Sequence, residues 1–196
     1  MSFLARPGAI LLIILALTTG VAACGSGAAP VTTDQGASTP APPEANNGET
    51  PVTAYIDARF HYRIDAPGHM TANPDGTASV IGPSERLLVT VLQGAAASDP
   101  AAFARSDAAA LASSSTKFHL VSGPSAVTLS GKTVQKVVYT YNAGTSAVTG
   151  KPLDLYGVRY YIPKDAGTLA VVTYGIVANQ YDPQGADDIA STFRWQ

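Results

Sequence analysis

Residues 25–53 set the limits of what this chain can fold into. They consist mainly of Gly, Ala, Ser, Thr and Pro, with no aromatic residue and almost no large aliphatic one. Such a composition cannot build a hydrophobic core. Residues 54–196, a stretch of roughly 140 residues, are long enough to bury one ordinary core. The sequence therefore predicts a single folded domain at 54–196 behind a flexible linker.

An apolar run precedes this linker at the start of the chain. Arg6 and the apolar residues 9–17 are typical of the charged and hydrophobic parts of a secretory signal peptide. The run is shorter than the roughly 20 residues that a membrane-spanning helix needs. We therefore interpret residues 1–23 as a signal peptide that is removed on export.

The four residues that end this run are Val21, Ala22, Ala23 and Cys24, and they resemble a bacterial lipobox. The resemblance implies that the Cys24 sulfur takes a diacylglyceryl group and that the signal is cut before it. Fatty acyl chains such as palmitate would then anchor the protein, since each buried methylene contributes about 0.8 kcal/mol. Cys24 is the sole cysteine, so no intramolecular disulfide can use it. We expect a lipid-anchored protein on the extracytoplasmic face of the cell membrane, with residues 24–53 as its tether; a plain signal peptide is the alternative.

Alternating apolar residues and turn signals predict a domain rich in strands. Asp99 and Asp182, each followed by Pro, predict two helix starts because Asp caps free amides and Pro fits the first helical position. The first helix is predicted to run to about Ser113, and the second to lie at the C-terminus. Order is expected to begin near Tyr55. The predicted strands cover residues 60–65, 78–81, 87–92, 117–121, 125–129, 132–142, 153–162 and 169–177.

The connections between these strands indicate how they pair. Residues 87–92 are apolar at almost every position, which favours a central strand. Ser130 and Gly131 form a tight hairpin signal between two strands, and hairpins imply antiparallel pairing. The second half of the domain is therefore predicted to be an antiparallel meander.

The order of these elements resembles the PsbP-like fold. The likeness rests on the aromatic strand that leads to residues 65–68 (Asp-Ala-Pro-Gly) and on residues 189–195 at the C-terminus, and it covers the chain from about Tyr55 onward. The group includes the extrinsic photosystem II protein, a Ran-binding nuclear import factor and envelope lipoproteins of the DcrB and LpqN types. The resemblance implies an α+β fold, an α/β/α sandwich with a central antiparallel sheet, and a role in binding or assembly.

The three long C-terminal strands carry an unusual number of tyrosines. Neighbours such as Tyr160 and Tyr161 must face opposite sides of a strand, so the rings cannot all enter one core. An amphipathic ring on a sheet face suits contact with protein or glycan; the alternative is a ring lying over the sheet with only its hydroxyl in water. The candidate partner surface comprises Tyr139, Tyr141, Tyr156, Arg159, Tyr160, Tyr161 and Tyr174.

Composition and motifs argue against several function classes. The formal net charge of −2 and the absence of a basic run give no reason to expect nucleic-acid binding. His61, His69 and His119 are the only histidines, and none has a second ligand at a metal-binding spacing. His69 next to Met70 could suit copper, but a loop histidine beside a packed methionine is the commoner arrangement. A Gly-x-Ser-x-Gly elbow is also missing from the sequence.

These observations predict a monomer that binds or assembles envelope components without catalysis, metal or cofactor. Its partner would be a protein or a small ligand. One alternative is a small-ligand or lipid carrier, which an apolar pocket above roughly 300 Å³ between helix and sheet would favour. Another is a metal-binding protein or metal-dependent enzyme, which would require two histidines to converge in space.

Overall fold

The computed structural model describes residues 51–82, 84–94, 97–146 and 149–196. These residues belong to one compact unit, Ala45–Gln196. The predicted signal peptide, the lipobox with Cys24 and the linker up to residue 50 lie outside the described residues. Among the helices that are described, none is long and apolar enough to cross a membrane.

Ten strands and two α-helices make up the described part of the chain, with a 3₁₀ turn at Ala178–Gln180 before the second helix. In chain order they are β1 (Val52–Asp57), β2 (Tyr62–Pro67), β3 (Thr71–Ala72), β4 (Ala78–Ile81), β5 (Glu85–Gln93), α1 (Pro100–Ser114), β6 (His119–Leu129), β7 (Lys132–Thr145), β8 (Pro152–Asp165), β9 (Thr168–Val177), α2 (Pro183–Ser191) and β10 (Arg194–Trp195).

The strands form two antiparallel sheets. The central sheet has seven strands in the order β3-β4-β5-β9-β8-β7-β6, and a smaller sheet has the order β1-β2-β10. One face of the central sheet packs against α1, and the other packs against α2 and the small sheet. This confirms the predicted α+β class and α/β/α sandwich, and β5 lies inside the sheet as predicted.

Alternation along β8 divides the hydrophobic core into two parts. Tyr160 belongs to the core on the α2 face, where Tyr62 of the small sheet and Phe193 also pack. Tyr161 belongs to the core on the α1 face, beneath Ala104 and Ala108. These alanines are buried and small, so the backbone of α1 can lie close to the sheet.

The predicted helix starts and the predicted hairpin are confirmed. The Asp99 carboxylate accepts a hydrogen bond of 2.9 Å from the Ala102 amide at the start of α1. Asp182 accepts from the amides of Gln184 and Gly185 at the start of α2. Ser130 and Gly131 have φ values of 49° and 76°, so the β6–β7 connection is a tight turn with two left-handed residues.

The first strand begins earlier than the sequence predicted. Val52 pairs with Pro67 of β2, so β1 starts within the predicted linker and before Tyr55. Because β1 is an edge strand, its outward side chains are poorly covered: Val52 is 72% exposed and Ile56 58% exposed. The outward residues Val52, Ala54 and Ile56 are apolar and the inward residues include Thr53 and Asp57, so the apolar positions of this strand do not mark its buried face.

The predicted strands 117–121 and 125–129 are one strand, β6. Gly123 and Pro124 lie inside it, where the register against β7 shifts. Since β7 runs straight past, β6 accommodates its additional residues as bulges. Gly123 has φ 89°, and a Cβ there would clash with the backbone carbonyl oxygen of Lys136, so only glycine fits this bulge.

Candidate functional site

The seven residues predicted as a partner surface do not form one surface. Register places Tyr139, Tyr141, Arg159 and Tyr161 on the α1 face of the central sheet. The other three, Tyr156, Tyr160 and Tyr174, lie on the opposite face. Strand alternation separates the two groups.

Most of these tyrosines are also inaccessible. Tyr139, Tyr160, Tyr161 and Tyr174 are between 0% and 6% exposed. A partner cannot contact these rings in the folded domain, so the prediction of an exposed tyrosine surface is wrong for these four residues. The physical reason is that internal groups satisfy their hydroxyls, which permits full burial.

On the α2 face the tyrosines bind the helix to the sheet. The Tyr160 hydroxyl donates a hydrogen bond of 2.6 Å to the Asp187 carboxylate of α2. Lys136 Nζ donates to the same oxygen at 2.6 Å. Burial, followed by the hydrogen bond and charge of Asp187, raises the pKa of Tyr160. Tyr174 donates to Glu85 at 2.8 Å in the same layer.

A matching cluster lies on the α1 face. Asp107 of α1 accepts hydrogen bonds from the Tyr161 hydroxyl at 2.6 Å and from Arg159 Nη1 at 2.5 Å. Burial and then the charge of Asp107 raise the pKa of Tyr161. Burial alone would lower the pKa of Arg159, but the interactions with Tyr139, Asp107 and Tyr161 raise it. The cluster therefore keeps Arg159 charged and Tyr161 neutral, and it joins α1 to β8.

Beyond this cluster, two glycines form a flat floor on the sheet. Gly157 of β8 and Gly175 of β9 are direct cross-strand partners. A Cβ on Gly157 would lie 2.6 Å from Cε2 of Tyr139, and a Cβ on Gly175 would lie 3.0 Å from Cγ of Arg86. Both large side chains therefore rest on the backbone of the sheet, and the closer contact at Gly157 requires glycine there.

Aromatic rings form a row that ends at this arginine. The Tyr139 ring stacks on Phe118 with centroids 5.4 Å apart and lies 5.6 Å from Tyr141. The Arg86 guanidinium lies 5.3 Å from the centroid of Tyr141, within the range of a cation–π contact. Arg86 is half-buried, yet within the described ranges no carboxylate lies within 4 Å of it. The row therefore ends in a positive charge without an acidic partner.

A half-open groove of about 190 Å³ lies next to Arg86. It occupies the part of the sheet beyond α1, which packs on β6, β7 and β8. Ile81, the direct cross-strand partner of Arg86, stands at its rim and is 81% exposed. Glu85 also lines the groove, but its carboxylate accepts a hydrogen bond from Tyr174 on the other face. Apolar walls come from Ala143, Leu153, Leu155 and Val177.

The sequence prediction did not include Arg86, Asp107, Asp187, Gly157 or Gly175 as site residues. A signal existed for the two glycines, because an isolated glycine within a strand pattern indicates close approach of another group. Asp107 and Asp187 gave no such signal, since an acidic residue on a helix is usually solvated. Arg86 stands at the start of an apolar strand, and nothing in the sequence shows which face it takes.

Two alternative functions, a small-ligand or lipid carrier and a metal-binding protein, depend on the volume of the groove and on the arrangement of possible metal ligands. The groove is smaller than the roughly 300 Å³ expected of a lipid or drug-sized ligand site. Within the part of the chain that the structure describes, no three side chains of His, Cys, Asp or Glu come together as a metal site would require. The site thus consists of a small groove on the α1 face, beside the Asp107 cluster.

Comparisons with known proteins identify only distant similarity. No family model and no curated protein matches the sequence. Similar solved structures include a Bacteroides thetaiotaomicron protein (8% identity, TM-score 0.48, covering 73% of this chain and 48% of that one). They also include the Saccharomyces cerevisiae Ran-binding protein Mog1p (13%, TM-score 0.46, 74% and 96%) and LpqN of Mycobacterium tuberculosis, involved in cell envelope biogenesis (15%, TM-score 0.35, 76% and 83%). This chain spans about half the length of the Bacteroides protein, and similarity at this level assigns no function.

Proposed function

We propose that the chain is an extracytoplasmic lipoprotein whose domain binds or helps to assemble envelope components without catalysing a reaction. Residues 21–24 would supply the lipid anchor at Cys24, and the linker would hold the domain away from the membrane. One observation carries the binding role: Arg86 lies at a half-open groove and forms no ion pair with any carboxylate of the described residues, whereas Asp107, Arg159 and Tyr161 are engaged with one another.

The arrangement of titratable groups favours binding over catalysis. A general acid or base needs access to substrate and a pKa near the working pH. Asp107, Tyr161 and Arg159 instead hydrogen-bond to one another beneath α1, and the pKa of Tyr161 is raised by burial. On the α2 face, Lys136 and Tyr160 donate hydrogen bonds to Asp187 in the same way. These groups support the fold, whereas Arg86 lies at an accessible groove.

Metabolic labelling tests the anchored placement. Cells that produce the full chain are fed an alkyne analogue of palmitate, and the purified protein is assayed for label. We expect label on the wild type and none on Cys24→Ser, with Ser26→Ala as the matched control that keeps its label. Label that persists on Cys24→Ser, or an unlabelled wild type, would contradict the proposal.

A further inference from the structure

We propose that the groove beside Arg86 binds a carboxylate that carries a short apolar group. This inference names the ligand chemistry of the binding module and rests on the proposed function for its biological setting. Three observations carry it: the charge of Arg86, the apolar walls and the size of the groove.

The charge of Arg86 points to an anion. The guanidinium is half-buried, and within the described ranges no carboxylate lies within 4 Å of it. Glu85, which also lines the groove, is turned to the other face by its hydrogen bond with Tyr174. A guanidinium presents a planar fork of donors that matches a carboxylate, and such charge-assisted pairs are among the stronger hydrogen bonds. Arg86 contacts the neutral side chain of Tyr141 but no described carboxylate, so its charge favours an anionic acceptor in the groove.

The walls and size of the groove define the remainder of the ligand. Leu153, Leu155 and Val177 provide apolar surface next to the guanidinium, whose stem rests on Gly175. The volume is about 190 Å³, and a cavity of about 150 Å³ accommodates benzene. One branched aliphatic or aromatic group therefore fits, whereas a long acyl chain does not. A free organic acid and the last residue of a polypeptide both present this chemistry.

The probe is N-acetyl-leucine, titrated into the full chain held in nanodiscs and followed by ligand-observed NMR, with empty nanodiscs as the blank. A ligand of this size is expected to bind with a dissociation constant on the order of 1 mM. N-acetyl-leucinamide has the same shape without the charge and should bind at least about tenfold more weakly.

Two pairs of variants distinguish binding at the groove from binding elsewhere on the surface. Arg86→Gln should weaken binding of the acid about tenfold, while Arg105→Gln, on the exposed side of α1, should leave it unchanged. Ile81→Glu places a carboxylate directly opposite Arg86, where it competes with the ligand, and should weaken binding of the acid as much as Arg86→Gln does. Ile81→Gln adds no charge and should leave binding of the acid unchanged. Because Ile81 is 81% exposed, neither change at this position disturbs the core.

A tripeptide, acetyl-Ala-Ala-Leu with a free C-terminus, distinguishes the two sources of the carboxylate. Tighter binding than N-acetyl-leucine by about tenfold supports a polypeptide end, because additional backbone contacts add affinity. Equal or weaker binding supports a free organic acid.

Three results would overturn the inference: no saturable binding of N-acetyl-leucine or of the tripeptide, equal binding of acid and amide, or binding unchanged in both Arg86→Gln and Ile81→Glu. Such a failure is distinguishable from failure of the proposed function. Palmitate labelling of Cys24 tests the anchor and does not depend on the groove.

Discussion

The two faces of the central sheet are joined to their helices in the same way but are covered to different extents. Tyr160 and Tyr161 are adjacent on β8, and each donates a hydrogen bond of 2.6 Å to a helix carboxylate, Asp187 on one face and Asp107 on the other. Each carboxylate also accepts a hydrogen bond from a basic side chain of the sheet. Adjacent residues of one strand thus fix both outer layers.

The difference lies in what covers the rest of each face. The α2 face packs against α2 and the three-stranded sheet, which bring Tyr62 and Phe193 into its core. The α1 face has a single helix over β6, β7 and β8, and the groove with Arg86 lies beyond it. The same tyrosine–carboxylate contact therefore occurs on both faces, and the groove lies where the cover of α1 ends.

Alkaline pH should produce the largest loss of folding stability, and it should weaken the packing on both faces of the central sheet. Burial raises the pKa of Tyr62, Tyr160, Tyr161 and Tyr174. As the pH rises above 10, the unfolded chain releases these protons before the folded domain does, so stability is intact below pH 10 and is lost above it. At pH 11 the combined loss should be on the order of 5 kcal/mol.

Tyrosinate absorbance and near-UV circular dichroism, recorded together between pH 8 and pH 12, measure this effect. The two signals should change in one transition, since most rings ionise only as the domain unfolds. Full tyrosinate absorbance with an unchanged dichroism spectrum would show that the rings are accessible in the folded state.

Removing each helix carboxylate should reveal an asymmetry between the faces. Asp107→Ala leaves Arg159 without its carboxylate in a site where the two side chains are 20% and 18% exposed, and should cost about 3 kcal/mol. Asp187→Ala should cost about 1.5 kcal/mol, because the Asp187 side chain is 34% exposed, so water can replace the lost carboxylate as acceptor even though Lys136 itself is only 14% exposed. Urea unfolding of both variants gives the comparison, with Asp107→Asn expected to be intermediate. Equal costs would refute the asymmetry.

The glycine floor should tolerate change at one position and not at the other. Gly157→Ala forces a methyl group against the buried ring of Tyr139 and should destabilise the domain by about 2 kcal/mol. Gly175→Ala meets only the flexible stem of Arg86 and should cost less than about 1 kcal/mol. Thermal unfolding of the two variants, whose positions pair directly in the sheet, is the measurement. A larger loss for Gly175→Ala would mean that Arg86 is fixed more tightly than Tyr139.

Loss of a single tyrosine hydroxyl should have a small effect that is equal on the two faces. Tyr160→Phe and Tyr161→Phe each remove one hydroxyl and leave the ring packed, while the carboxylate keeps its basic partner. Each change should cost about 1 kcal/mol in urea unfolding. A difference well above this value between the two variants would show that the Tyr160–Asp187 and Tyr161–Asp107 hydrogen bonds are not equivalent.

The sequence predicts local features of this fold well. Alternation correctly places Tyr160 and Tyr161 on opposite faces, and the Asp-Pro pairs at Asp99 and Asp182 mark both helix starts. Each of these depends only on neighbours along the chain. Short strands such as β10, with two residues, carry too few positions to show any period.

Contacts between distant residues could not be predicted in the same way. Asp107 and Tyr161 are 54 positions apart, and nothing local shows that α1 lies above this part of β8. For the same reason, the sequence alone does not show that the hydroxyls of Tyr160, Tyr161 and Tyr174 have buried acceptors. Arg86 belongs to the groove only because β5 pairs with β9 and brings it over Gly175.

One measurement tests most directly whether the chain is anchored at Cys24 and binds its partner on the α1 face. A photocrosslinking residue is placed at Ile81 on the groove rim or at Gln184 on the exposed side of α2, and each protein is irradiated in native membranes and analysed by intact mass. Both proteins should begin at Cys24 and carry the mass of the lipid, and only the Ile81 protein should gain an adduct, which Arg86→Gln should reduce. An unmodified Cys24, or equal adducts at the two positions, would contradict the account.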